Sequence, residues 1–205
     1  MSGMSLVAAA VLFWLAWALM PGVGVTDPSQ IFALVASQRG LVVCSVVVQL
    51  ISAVLYIPAL LGMVADPHFG RLRGIQWAAG LLIAGAMGSA ADAVLHLLAY
   101  AMTAPNLDRT SLVPVMAFMQ GPGLVLLAPL VLSFFVGGAM LSHVLAKAGI
   151  VSRWDVRLHA LAVVVAVVGG ALASGGWLPA RLVGLATLAL VSAAQIWVGA
   201  TIRVD

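Results

Sequence analysis

Glutamate is absent from all 205 residues, and the 6 acids are aspartates. Charged residues make up only 7% of the chain and hydrophobic ones 64%, which excludes a water-soluble domain and indicates a multi-pass membrane protein. The one cysteine, Cys44, excludes an internal disulfide and a thiolate metal cage. The net charge of +3 comes from basic residues spread along the chain, so no nucleic-acid partner is expected. No phosphate-binding glycine loop, nucleophile elbow or zinc motif occurs.

What is abundant is apolar sequence in long runs. A bilayer-crossing helix needs about 20 mainly apolar residues. Six runs are read as spans, over residues 5–20, 41–64, 77–102, 123–147, 159–174 and 180–201. The expected fold is all-α: an integral membrane bundle of six transmembrane helices in one domain, residues 1–205, with two short exported-side interfacial helices. The first run follows an uncharged leader without a clear cleavage site, so it reads as a retained helix. Arg71, Arg73, Lys147, Arg153, Arg157 and Arg203 fall on one side of a six-span arrangement, and Arg39, Arg109 and Arg181 on the other. The positive-inside rule then predicts that both termini are cytoplasmic. Trp77, Trp154 and Trp177 read as interface anchors.

The two interfacial helices are read from local chemistry. Asp27 is a plausible N-cap, Pro28 suits the first helical position, and Ile31, Phe32, Leu34 and Val35 share a side. The same 13-residue spacing separates Asp27 from Gly40 and Asp108 from Gly121, which suggests an internal duplication, with chance spacing as the alternative. A continuous helix from Thr110 to Lys147 would run about 55 Å, far beyond a hydrocarbon core of about 30 Å. A break is therefore expected at Gln120-Gly121-Pro122-Gly123, with the preceding piece on or in the membrane. With Gly121 and Gly123 as hinges, the segments 27–40 and 108–121 read as paired lids over a cavity entered from the outer leaflet.

Asp92 and His96 lie one turn apart within an otherwise apolar span. An ionisable side chain there costs at least about 2.5 kcal/mol, so the default reading is functional. Gly80, Ala84, Gly88, Asp92, His96 and Tyr100 recur every four residues, and the small ones form a ridge for a neighbouring helix. Counting from the exported ends of antiparallel spans puts Gln49 level with Asp92 and His96. Ser45, Gln49, Ser52 and Tyr56 share a face that would line the same cavity, with Gln120 at its mouth. The candidate catalytic residues are thus Asp92 and His96, and the candidate substrate-binding residues Gln49, Ser52, Tyr56, Tyr100 and Gln120. The bland alternative is that Asp92 and His96 satisfy one another as packing polars. Gln195 reads as an interhelical hydrogen-bonding residue, and His68, His143 and His159 as solvated or helix-terminal histidines. His96 has no histidine partner at its depth, so neither haem nor copper is expected.

The run SQRGLVVCSVVVQLISAVLYIPALLGMV over residues 37–64, and AGIVSRW over residues 148–154, resemble uncharacterised bacterial six-helix inner-membrane proteins, a group of domains of unknown function. The resemblance implies six helices in a bacterial cytoplasmic membrane and carries over no catalytic residue. From the residues themselves, the expected function is acid-base chemistry on a hydrophobic isoprenoid or lipid-like molecule. An apolar cavity favours the protonated form of a carboxyl, so Asp92 would be the general acid and His96 its orienting partner. Cyclisation or isomerisation by alkene protonation needs no cofactor; the analogy to small membrane terpene cyclases is mechanistic only, since no motif of theirs matches closely. The alternatives are a small proton-coupled transporter and a non-catalytic subunit of a membrane complex.

Overall fold

A computed structural model describes residues 2–202, and among them every regular element is helical. In chain order these are α1 (Ser2–Leu19), α2 (Pro28–Ser37), α3 (Arg39–Ala65), the single turn α4 (Pro67–Gly70), α5 (Ile75–Met102), α6 (Arg109–Phe118), α7 (Leu124–Lys147), α8 (Arg153–Val164), α9 (Gly170–Ser174) and α10 (Ala180–Thr201). Two π-helical turns, Met119–Gly123 and Val165–Gly169, join α6 to α7 and α8 to α9. Five helices, Arg39–Ala65, Ile75–Met102, Arg109–Lys147, Arg153–Ser174 and Ala180–Thr201, are thus long and apolar enough to cross a membrane. This is the make-up of a multi-pass membrane protein. α1 is also apolar, but shorter, at 18 residues.

The bundle closes on itself. α1 packs on α3, α3 on α5, α5 on α7, α7 on α8 and α8 on α10, and α10 returns to α1. The α5–α7 seam is close-packed: Gly85 meets the backbone of Phe134, Gly88 meets Leu130, and Gly137 meets the backbone of Leu82. Small residues let backbones approach closely, which is how helices associate in lipid without a hydrophobic driving force between them. The expected ridge is corrected in one respect: Gly80 is exposed and touches nothing, and Gly85 takes its place. Serines fasten α1 to α3, with Ser45 donating to the Ala16 carbonyl at 2.7 Å and Ser52 to that of Ala9 at 2.8 Å.

Both short helices form for the local reasons expected. Asp27 accepts from the backbone of Ser29 and Gln30 at the start of α2, with Pro28 at the first position, and Ile31, Phe32 and Val35 are buried. The Ser29 hydroxyl and the Gln30 and Ser29 amides hold the Asp27 carboxyl below the usual range, so the cap stays ionised. Asp108 caps α6 in the same way. α2 and α6 pack against one another at one end of the bundle, here the α2 end, and α4 lies at the other.

The expected break at Pro122 is corrected. The backbone stays helical from Phe118 through Leu124, and the π turn accommodates the proline. Pro122 has no N–H for the Phe118 carbonyl, and its ring would crowd that oxygen in an α register. A wider turn relieves both problems. The helix is thus continuous through Gly121 and Gly123, and the two lid-and-span units differ, since α2 meets α3 at a non-helical Gln38. The fifth span also begins earlier than expected, at Arg153, because the Ser152 hydroxyl caps it through the Trp154 amide.

Arg39 anchors the α2 end. Its guanidinium lies 3.9 Å from the centre of the Tyr100 ring and donates to the Tyr100 carbonyl at 3.1 Å and to Thr103 Oγ1 at 2.6 Å. A cation there also complements the C-terminal dipole of α5. Arg39→Gln is expected to lower stability by roughly 2 kcal/mol through lost charged hydrogen bonds. Thermal melting in detergent is the check, and a melting point equal to that of the parent protein would refute the anchoring role.

Candidate functional site

At the α2 end, α1, α2, α3, α5 and the π turn surround a cavity of about 290 Å³. Its wall is mostly apolar, from Met20, Ile31, Val35, Val42, Leu95 and Met119, and it also includes Asp92, His96, Trp17 and Gln120. The loop over residues 21–26 covers one side. Gly24 belongs in that loop because its backbone is left-handed (φ +82°) and any Cβ would lie 2.8 Å from the Ala180 backbone. The π turn contributes Met119 and Gln120, so the adjustment that accommodates Pro122 also shapes the cavity wall.

Asp92 is buried and held on one side only. Gln49 Nε2 donates to Asp92 Oδ2 at 3.0 Å, and also to the Ser89 carbonyl at 3.0 Å and Ser89 Oγ at 3.2 Å. Counting along antiparallel helices predicts this meeting of Gln49 and Asp92, and the structure places them there. His96 Nδ1 stands 3.4 Å from the same Oδ2 without a hydrogen bond. Both approaches are to Oδ2, which leaves Oδ1 as the oxygen available to a ligand. The Trp17 ring stands edge-on to His96, with centroids 5.8 Å apart. Trp17 Nε1 and His96 Nδ1 are buried without partners among the described residues, a condition that typically costs about 1–3 kcal/mol per group.

The other residues of the expected site separate into two groups. Gln120 lines the cavity, and Gln49 stands behind Asp92. Ser52, Tyr56 and Tyr100 do not line it, and the expectation of one shared cavity is corrected for them. Ser52 is committed to α1, Tyr100 lies under Arg39, and the Tyr56 hydroxyl donates to Gln195 Oε1 on α10. A polar stripe on one helix face meets a different neighbour at each turn, because the helix crosses several others along its length.

Tyr56 leads to a second buried polar set. His159 is only 5% exposed, which corrects its reading as a solvated histidine; α8 starts at Arg153, so His159 lies inside the helix against α7. His159 Nδ1 is 3.1 Å from the Asp155 carbonyl and 3.5 Å from Ser142 Oγ. A carbonyl can only accept, so Nδ1 is the donor in the contact with Asp155. Among the described residues, His159 Nε2, Gln195 Nε2, Asp155 Oδ2 and Ser192 Oγ are buried without partners. Asp155 is thus a second acid inside a helix, where sequence reading admitted only Asp92. The first polar set is separated from the second by an aromatic layer in which Phe134 packs on Phe13 (centroids 4.6 Å apart) and on Tyr56 (5.3 Å).

Sequence reasoning missed Trp17 and the 21–26 loop as cavity residues, and Ser89 as a partner of Gln49. Trp17 gave no signal, since a helix apolar on every side does not reveal which side faces inward. No group of three or more His, Cys, Asp or Glu residues capable of holding a metal occurs among the described residues. No protein family, curated protein or solved structure matches this chain.

Proposed function

We propose that the chain is a six-span bacterial inner-membrane protein, with α1 as the sixth span, that carries out acid-base chemistry on a hydrophobic isoprenoid or lipid-like molecule in the Asp92 cavity. Its termini are cytoplasmic, and α2 and α6 lie at the outer surface over the cavity. The supporting observation is a carboxyl on the wall of a mostly apolar cavity, with Oδ2 held by Gln49 and Oδ1 without a partner among the described residues. Asp92 adds the Oδ1 proton to an alkene carbon, forming a C–H bond and a cation at the more substituted carbon. Trp17 supplies a π face that stabilises the cation. Loss of a neighbouring proton, to the Asp92 carboxylate directly or through His96, restores the alkene and the acid. The substrate is cyclised or isomerised with no net proton or electron exchanged, so the chemistry calls for no cofactor.

This cycle exchanges carbon-bound hydrogen with water. The test is deuterium uptake from D2O into a panel of polyprenyl alcohols and lipids by the protein in liposomes. Uptake is expected with the parent protein and not with Asp92→Asn. Topology is checked with reporters inserted after Asn106 and after Gly149, expected outside and inside respectively; the reverse would refute the cytoplasmic assignment of the termini.

A proton-coupled carrier is the second reading. The unpartnered groups of His159 and Gln195 favour it, because they extend polar chemistry past the aromatic layer toward the α4 end. Proteoliposomes with an internal pH dye separate the two readings. Proton entry that stops in His159→Gln would favour the carrier, and deuterium uptake without proton entry the enzyme.

A further inference from the structure

We propose that a groove at the α4 end binds the phosphate headgroup of an anionic membrane lipid. Two adjoining cavities, about 820 and 440 Å³, share His143 and Lys147. Arg71 and Arg73 line the first, and Arg153 and Arg157 the second, so with Lys147 five cations face one region. These belong to separate stretches that folding brings together. The loop before α5 turns back on α7 because Gly74 is left-handed (φ +97°) and sits against Met140 and Val144.

Among the described residues, no acid neutralises this region. No carboxylate lines either cavity, and none of the five cations forms an ion pair among the described residues. Asp66 is engaged at the His68 amide as the cap of α4, and Asp155 is buried. Like charges gathered without counter-charge repel one another, so an anion bound among them relieves a real cost.

The surroundings select a lipid over a soluble anion. Trp77, on the groove wall, is 76% exposed, and Trp154, carrying Arg157 across its face at 4.5 Å, is 66% exposed. Tryptophans so exposed at the first turns of apolar helices suit the headgroup level of a bilayer. Met140 and Val144 give the groove an apolar side against which an acyl chain can lie. A basic pocket between spans is the recognised form of an anionic-lipid site.

The test uses the full chain in nanodiscs of equal phosphatidylcholine and phosphatidylglycerol, with retained lipid counted by native mass spectrometry. Phosphatidylglycerol is expected to be retained over phosphatidylcholine. Each charge removed lowers retention about fivefold, so Lys147→Gln falls about fivefold and Arg73→Gln/Lys147→Gln about 25-fold. Arg109→Gln, at the opposite end, retains lipid like the parent, and the single Lys147→Gln variant decides the matter if the double variant does not fold. Equal retention of both lipids, unchanged retention in a folded Lys147→Gln protein, or displacement of the lipid by inorganic phosphate at matching concentration would each overturn the proposal.

Discussion

Asp92→Asn is expected to reduce deuterium uptake about 10²- to 10⁴-fold, the range attributable to a positioned general acid. The substitution is nearly isosteric, and an amide oxygen can still accept the Gln49 N–H now made to Oδ2 at 3.0 Å. Local structure is thereby preserved and the transferable proton is lost. His96→Gln is expected to have a smaller effect, because His96 faces Oδ2 at 3.4 Å without a hydrogen bond and helps only to return the proton. Gln49→Leu distinguishes positioning from chemistry. With Oδ2 released, either oxygen can carry the proton, so the rate should fall with a displaced pH profile while the lipid substrate still binds. If Asp92→Asn and the parent protein incorporate deuterium equally, the general-acid reading fails, and if proton entry is equal as well the relay reading fails with it and the pair is packing.

The parts legible in the sequence were those set by short-range chemistry or by simple counting. The α2 start follows from Asp27 and Pro28, and the meeting of Gln49 with Asp92 follows from a rise of about 1.5 Å per residue along antiparallel helices. Rotational setting was harder to read. A four-residue spacing drifts about 40° per step on a helix, so a stripe begun at Gly80 starts off the seam and reaches it by Gly88, while Gly85, outside the stripe, sits on it. The union of Tyr56 with Gln195 spans 139 positions and depends on α10 returning to α1 to close the ring, which no local pattern encodes. The Gln-Gly-Pro-Gly stretch misled for a different reason. Proline strains an α register, yet Pro58, Pro114 and Pro129 sit within α-helices and Pro122 within a π turn that keeps the helix continuous, and length alone does not say which solution the chain adopts.

Substitution at the α5–α7 seam should have the largest effect on folding. A Cβ at Gly85 would lie 2.4 Å from Phe134 Cα and 2.5 Å from its backbone nitrogen. No rotamer change can relieve a clash with backbone, so the helices must part by about 1 Å to reach ordinary carbon contact distances of about 3.5 Å. Parting them loosens the neighbouring contacts of Gly88 with Leu130 and Gly137 with Leu82, and shifts Phe134, which packs on Phe13 and Tyr56. Gly→Ala in a helix gains about 1 kcal/mol of propensity, whereas overpacking costs about 1–3 kcal/mol, so Gly85→Ala should be a net loss. Gly85→Leu adds three further carbons to the same clash and should leave little folded protein after detergent extraction. Gly80 provides the control. It lies on the same helix with nothing within 4 Å of a Cβ, so Gly80→Leu should fold and melt like the parent. Size-exclusion profiles and melting curves compare the three variants; a folded Gly85→Leu protein with parental melting would mean that the seam is not the close contact on which the bundle, and the position of Asp92 within it, depends.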